Sequence, residues 1–390
     1  MRACAILGVL CASCGGMRAS RMDLAGEPVR GLRLALMGRD RLPREGARLC
    51  PGETAPLAAA ALLEDGRELA SEGTANGTVP WSAFRIAATG AAVEGGSVRL
   101  SPDPRETVNA PARLRLEVPG HTGIAAELAI AARYDCPLMA DFRGPAGAAG
   151  AEGSRGSPGT DATDSVPEVN TTESGRRARP QPFMRPGDRG GDGGPGGEGS
   201  DGQPGSAAPP VEVRVACQLG GCKLLQIEAR SGERAELFLV DSETGSLIVL
   251  AAGGGGGAGG RGGAGSCGGR GGAGAPAGSG GRGGAGGNGG NGGDGGAGGS
   301  VRVLVDPQAV AHASHVLQID LRGGERGAPG LPGAGGCGGA GHIAQTAVSG
   351  LSQSAQGARG RPGRRGMRAG NRGPDGPAPQ VEVVPVAPLW

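Results

Sequence analysis

Apolar and polar positions alternate with a period of two along much of residues 22–136. Leu32, Leu34 and Leu36 alternate with Gly31, Arg33 and Ala35, and Leu114, Leu116 and Val118 with Arg113, Arg115 and Glu117. Ile124, Ala126, Leu128, Ile130, Ala132 and Tyr134 share one face of a further run. Such alternation predicts strands with one buried face. Pro51–Gly52, Asp65–Gly66, Gly95–Gly96 and Pro119–Gly120 supply the turn signals between them. The pattern predicts a β-sandwich over 22–136. A second β region is predicted over 211–390. Val211, Val213 and Val215 alternate with Glu212 and Arg214, and Leu225, Ile227 and Ala229 with Gln226 and Glu228. Apolar runs at 237–240, 247–250, 301–305, 316–321 and 381–386 continue it.

Between these runs the period changes to three. Glycine recurs every third residue from Gly144 to Gly159, from Gly187 to Gly205, and from Gly253 to Gly298 with one break at Ala277. It does so again from Gly324 to Gly339, and from Gly357 to Gly376 with a one-residue slip after Gly366. Three residues per turn is the period of a polyproline II helix, and only glycine lets such backbones approach closely along one side. Residues 144–161 read as collagen-like triplets, and 162–186 as a polar linker carrying Arg176, Arg177 and Arg179. Segment 137–210 is thus expected to form triplets plus linker. The tracts at 253–300, 324–341 and 357–378 are expected as excursions from one β region, a sandwich or a solenoid, because strands run straight into them. Ala275–Ser279 predicts a turn that folds the longest tract into two arms. Each arm of about 22 residues would reach about 70 Å at 3.1 Å per residue. If the arms pack, Arg261, Ala264, Arg270, Arg282, Asn288 and Asp294 share the phase of an outward row. The alternative is a solvated coil.

Composition agrees with this grammar. The chain holds 85 Gly and 30 Pro in 390 residues and only 2% aromatics, which leaves little for one large core. A net charge of +2 gives no strong steering toward nucleic acid or membrane.

The first residues predict export. Arg2 precedes an apolar run from Ala3 to Ala12, too short to span a bilayer, followed by small residues and Cys14. Residues 1–13 are read as a signal peptide and Cys14 as a lipidation site; simple secretion is the alternative. Removal of 1–13 leaves Cys14 and six further cysteines: Cys50, Cys136, Cys217, Cys222, Cys267 and Cys337. Six cysteines allow 15 pairings. Position in the chain suggests Cys50 with Cys136, Cys217 with Cys222 across Gly220–Gly221, and Cys267 with Cys337. Zinc is the alternative use of such a set, with a weak spacing signal.

Several residue groups carry resemblances. Ala12-Ser13-Cys14 resembles a bacterial lipoprotein signal, although Leu10 stands one place upstream of the usual position. Cys50-Pro-Gly-Glu-Thr54, Leu63-Glu-Asp-Gly-Arg67 and Trp81-Ser-Ala-Phe84 resemble a bacterial immunoglobulin-like domain. That resemblance implies a sandwich acting as a spacer or adhesive unit, with a middle strand starting at Trp81. The layout of triplet tracts between strands resembles glycine-rich, collagen-like bacterial surface proteins.

Candidate chemistry is sparse. Arg-Gly-Gly recurs at Arg189, Arg261, Arg270, Arg282 and Arg322, but no aromatic side chain is interleaved for base stacking. Arg359-Gly-Arg-Pro362 fits the triplet register without any role as a minor-groove hook. Gly289–Asp294 lacks the apolar residue of a calcium-binding nonapeptide, since Gly296 stands there. Asp188, Asp192, Glu198 and Asp201 read as solvated charges. His312 and His315 are expected in a surface loop. No catalytic signature is present, so the sequence predicts a non-enzymatic protein without cofactor or metal. The expectation is an all-β surface protein with polyglycine-type helices, anchored in the outer membrane or at the cell surface. Its partners are the membrane through lipid, and self-association or matrix and glycan contact; nucleic acid is not expected. A secreted binding module for a glycan or peptide is the second expectation, and an Arg-Gly-Gly RNA-binding protein a remote third.

Overall fold

The computed structural model describes residues 24–390 apart from 39–42, 45, 75–76, 165–184, 219, 346–350, 354 and 357. The signal segment, Cys14 and most of the linker expected at 162–186 lie outside the described residues.

The described chain is mostly β. Its first part holds β1 (Val29–Met37), β2 (Pro43–Arg44), β3 (Arg48–Leu49), β4 (Thr54–Leu63) and β5 (Glu68–Ala70). It continues with β6 (Arg85–Thr89), β7 (Ala91–Glu94), β8 (Ser97–Leu100), β9 (Ala112–Glu117) and β10 (Ala125–Ala132). One sheet has the order β2-β1-β4-β8-β7, with β5 also on β4; the other has the order β3-β10-β9-β6. Alternating side chains from both sheets meet in shared cores. Leu36, Leu57 and Leu100 from the first sheet cluster with Leu49, Leu114 and Ile130 from the second. Trp81 does not start a strand. Trp81–Ala83 is a 3-10 turn after Pro80, and β6 begins at Arg85. The turn lets the indole donate from Nε1 to the Glu72 carbonyl at 3.1 Å. It also seats the ring against Gly96, whose φ of 79° and missing Cβ leave the space.

The second part contains β11 (Pro137–Asp141), β12 (Val211–Cys217), β13 (Leu224–Ser231), β14 (Arg234–Asp241) and β15 (Ser246–Leu250). After these come β16 (Val301–Val305), α1 (Val310–Val316), β17 (Leu317–Asp320), β18 (Ile343–Gln345), β19 (Leu351–Gln353) and β20 (Gln380–Val383). Strands β11, β15 and β17 form a parallel sheet, and β14-β13-β12-β16-β20 a mixed one. Val213, Ile227, Val249 and Val303 share one core between them. Gln226 and Glu228, expected on the solvent side of β13, are 2% and 8% exposed. The chain end covers that face: Leu389 N–H donates to Gln226 Oε1 at 2.8 Å, and Gln226 Nε2 donates to the Trp390 carbonyl. His312 and His315 sit in α1 rather than in a loop, because Val310, Ala313 and Val316 recur at helical spacing and Ala313 and Val316 are buried.

Six glycine tracts join the two sheets: I (144–164), II (187–208), III (253–274), IV (278–299), V (322–342) and VI (358–376). Tracts I, III and V leave the ends of β11, β15 and β17. Tracts II, IV and VI enter β12, β16 and β20. The strand ladders continue into the tracts without interruption. Asp141 pairs with Leu250, then Phe142 N–H bonds the Leu250 carbonyl and Gly144 N–H the Ala252 carbonyl. Each sheet therefore extends into one layer of tracts, I-III-V below one sheet and II-IV-VI below the other. Segment 137–210 is accordingly not a separate collagen-like stretch: β11 and tracts I and II are built into the second region.

Within a layer the tracts are parallel, and between layers antiparallel. Gly147, Gly150 and Gly153 of tract I donate to carbonyls of 255, 258 and 261 in tract III at 2.8 Å. Gly284, Gly287 and Gly290 of tract IV donate to residues 266, 263 and 260 of tract III, running the other way. Successive residues of one tract thus address different neighbours and return to the same neighbour every third residue, the period of polyproline II. The glycines of positive φ among the described residues all lie in turns outside the tracts, from Gly46 to Gly232. Tract glycines serve close approach alone. A Cβ at Gly263 would overlap the Ser154 carbonyl, and one at Gly289 the Gly330 carbonyl.

Candidate functional site

The bundle turns one row of each tract outward, and these rows form two opposite faces. On the first face, tract III presents Ala258, Arg261, Ala264, Cys267 and Arg270, flanked by Glu152 and Pro158 of tract I and Leu331 and Cys337 of tract V. On the second, tract IV presents Arg282, Ala285, Asn288, Asn291 and Asp294, between tract II and tract VI. Arg261 and Asn288 share a phase in sequence, yet the turn at 275–278 places them on opposite faces.

Outward residues have backbone N–H groups that no neighbouring carbonyl reaches. Short polar side chains of the adjacent tract accept several of them. Asp161 Oδ1 accepts Arg270 N–H at 2.6 Å, Asp192 Oδ1 accepts Arg282 N–H at 2.6 Å, and Asp201 Oδ1 accepts Asn291 N–H at 2.6 Å. One tract farther along, Asn288 Oδ1 accepts Arg364 N–H at 2.9 Å, Asn291 Oδ1 accepts Arg368 N–H at 3.0 Å and Asp294 Oδ1 accepts Asn371 N–H at 2.6 Å. The acidic residues expected as solvated charges are therefore partly structural acceptors. Glu198 takes a hydrogen bond from Asn288 Nδ2 at 3.1 Å. Asp294, weighed as a calcium ligand, is committed to Asn371. Among the described residues no group of three His, Cys, Asp or Glu side chains is placed to hold a metal.

The six cysteines among the described residues pair as Cys50–Cys136, Cys217–Cys222 and Cys267–Cys337. The first ties the loop after β3 to the start of β11, so it joins the two parts of the molecule. The third lies on the first bundle face and clips tract III to tract V, with Cα atoms 4.4 Å apart. Three disulfides are those of a protein in an oxidising, extracytoplasmic setting. No helix among the described residues is long and apolar enough to cross a membrane.

Where strands become tracts, Asp-x-Arg pairs staple the junction. Asp141 and Arg143 meet at 2.7 Å, as do Asp320 and Arg322. The Arg143 hydrogen bonds hold the Asp141 carboxyl below the usual carboxylate range, and those of Arg322 do the same for Asp320. Two concavities accompany the sheets. A cleft of about 710 Å³ lies between the two parts, beside Arg99, Arg105, Met139 and Phe238. An apolar groove of about 270 Å³ lies at the open side of the second core, lined by Val303, Val310, Leu317, Val381 and Val383.

Tract VI carries what the sequence reading passed over. Arg361, Arg364 and Arg368 occupy its outward row; Arg359, Arg365 and Arg372 occupy the row beyond which no further tract lies. All six are exposed. Arg359-Gly-Arg-Pro362 satisfies the triplet register, but the sequence signal for these rows is the density of arginine over 359–372 with one acidic residue, Asp375, just after it.

Comparison of the chain with protein families, characterised proteins and solved structures finds no match.

Proposed function

We propose that this is an exported, lipid-anchored surface protein whose glycine bundle is a rigid structural and adhesive element. The observation that carries the reading is the bundle itself: paired strands pass into six hydrogen-bonded tracts whose side chains are displayed on two faces. A polyglycine-II-type packing of this kind holds side chains at fixed spacing on a stiff backbone, which suits contact rather than catalysis. In this reading the first part is an immunoglobulin-like sandwich that spaces the bundle from the membrane, and Cys14 carries the lipid. The three disulfides support export, and Ala12-Ser13-Cys14 supports the anchor. Outer membrane or cell surface is the destination. Expression of a Cys14→Ser variant tests it: the protein should leave the membrane fraction for the soluble one. Unchanged membrane fractionation, with no lipid on the mature N-terminus, would contradict the anchor.

A second reading, a secreted module that recognises a peptide through the β region, is favoured by the apolar groove. Val381 and Val383 line it and remain 63% and 55% exposed. A Val381→Asp variant that loses capture of extended apolar peptides, while wild type retains it, would favour that reading.

A further inference from the structure

We infer that the free edge of tract VI is a binding rail for a linear acidic polysaccharide bearing sulfate or carboxylate groups. The inference deepens the surface-contact reading above by naming the class of partner, and it rests on that reading for the extracytoplasmic setting. Two adjacent rows of three arginines run from Arg359 to Arg372, about 40 Å at 3.1 Å per residue. Arginines of one row recur about every 9 Å where they are three residues apart. The spacing is imposed by the bundle, because Gly360, Gly363, Gly366, Gly370 and Gly373 are hydrogen-bonded to tract V at 2.8–3.1 Å. The guanidinium groups therefore stay together at no further ordering cost to the backbone.

Their charge is largely unpaired among the described residues. Of these six arginines, only Arg372 has an ion pair among the described residues, with Asp375 at 3.3 Å. The acceptors that could have served the others are already used. Asn288 and Asn291 bond the backbone N–H groups of Arg364 and Arg368, which fixes the tract and leaves both side chains free to extend past the edge. On the same face, Asp294 of tract IV is taken up by Asn371, whose backbone N–H and Nδ2 both donate to its Oδ1, and the other acidic residues lie two tracts away, on tract II. Asp192 and Asp201 there accept backbone N–H groups of tract IV.

The chemistry selects the occupant. Guanidinium forks match planar or tetrahedral oxyanions in bidentate fashion, and a row of them suits a polymer with anions at regular intervals. Tract VI has no aromatic side chain on which a base could stack, which disfavours single-stranded nucleic acid. A further copy of the bundle cannot add to this edge by continuing the lattice. The row that would have to be glycine carries Arg359, Pro362, Arg365 and Arg372.

The test uses the purified full-length chain with dextran sulfate, polygalacturonate, neutral dextran and double-stranded DNA as probes, over a salt series. Binding to dextran sulfate or polygalacturonate is expected, with which of the two binds tighter separating sulfate from carboxylate recognition; neutral dextran should not bind. Joint replacement Arg361→Gln, Arg364→Gln and Arg368→Gln should weaken binding roughly tenfold or more and flatten its salt dependence. The control replacement Arg30→Gln, Arg48→Gln and Arg85→Gln removes the same charge from the first part of the molecule and should change affinity by no more than about twofold. Arg361→Lys, Arg364→Lys and Arg368→Lys keeps the charge but loses the fork, and should bind between wild type and the glutamine variant. Four results would each overturn the proposal: no binding to either acidic polysaccharide, tighter binding to DNA, equal loss in the control, or equal loss in the lysine variant. None of these readouts depends on Cys14, so the membrane anchor stands or falls separately.

Discussion

Tracts III and IV lie inside the bundle and tracts I and VI at its margins, and the four differ in how much glycine they carry. Tract III has hydrogen-bonded neighbours in I, II, IV and V, and tract IV in II, III, V and VI. Each leaves two of its three rows to glycine, broken in tract III by the buried Ser266, and both otherwise read Gly-Gly-x. Among the described residues, tract I bonds only II and III, and tract VI only IV and V. One bare row suffices, and both read Gly-x-y. Tract I spends its second row on Pro145, Ala148, Ala151, Ser154, Ser157 and Thr160; tract VI carries Pro362 and arginines there. Tracts II and V have three neighbours and are intermediate: glycine gives way to Ser200, Gln203 and Ser206 in one and to Arg326, Pro329 and Pro332 in the other. The lesson is that glycine content per triplet reports the number of neighbours. The side chains in the spare rows also end the lattice, as proline and charge do on an edge strand.

The comparison breaks most visibly if a side chain is forced into an inner row. Gly289→Val in tract IV puts a Cβ onto the Gly330 carbonyl and should cost at least about 3 kcal/mol. Ala148→Val in tract I has no tract beyond it and should change stability by less than about 0.5 kcal/mol. Equal denaturation midpoints for the two variants would refute the assignment of rows.

Comparable in size is the covalent link between tract III, inside the bundle, and tract V, which has three neighbours. Cys267→Ser with Cys337→Ser opens a closure across 70 residues, worth about 4 kcal/mol in the chain-entropy model. The loss should appear in urea titration as a lower midpoint, and be absent when wild type and variant are compared under reducing conditions.

A smaller effect belongs to the caps. From register alone, Asn288→Val would be silent, since the residue points outward. The structure gives Asn288 Oδ1 the Arg364 N–H, so the substitution should cost about 0.5 kcal/mol, with faster amide exchange at Arg364. Unchanged exchange at Arg364 would deny the cap.

The smallest effect is a pH dependence. Asp141 and Asp320 titrate below the usual aspartate value of about 3.9. Their pairs thus contribute fully above that value, and the contribution is lost as pH falls through the depressed one. Thermal midpoints of an Asp141→Asn, Asp320→Asn variant should fall less between pH 5 and pH 2 than those of wild type. Parallel curves would show that the junction staples are not the acid-sensitive groups.

Much of this was legible beforehand, for physical reasons. A strict period of three has one packing use, and alternation at 211–215 and 301–305 marked strands that enter it directly. The turn at 275–279 was visible because proline and a missing glycine break the phase. Layering was not legible: Arg261 and Asn288 have one phase but opposite faces, since phase carries no information about chain reversal. Helix α1 was hidden because seven residues are too few for periodicity to declare itself. The covered polar face of β13 depends on residues 389–390, more than 160 positions away. The arginine rail was written in plain sight, but only the position of tract VI at a margin separates it from the arginines of inner tracts.

Residue-resolved amide exchange on the intact protein tests the neighbour rule most directly. In tract III, Gly256, Gly257, Gly259 and Gly260 should be protected while Ala258 and Arg261 exchange freely, two slow amides in every three. In tract I, Gly147, Gly150 and Gly153 should be slow while Ala148, Ala149 and Glu152 exchange freely, one slow amide in every three. Uniformly fast exchange in both tracts, or the same pattern in each, would contradict the account.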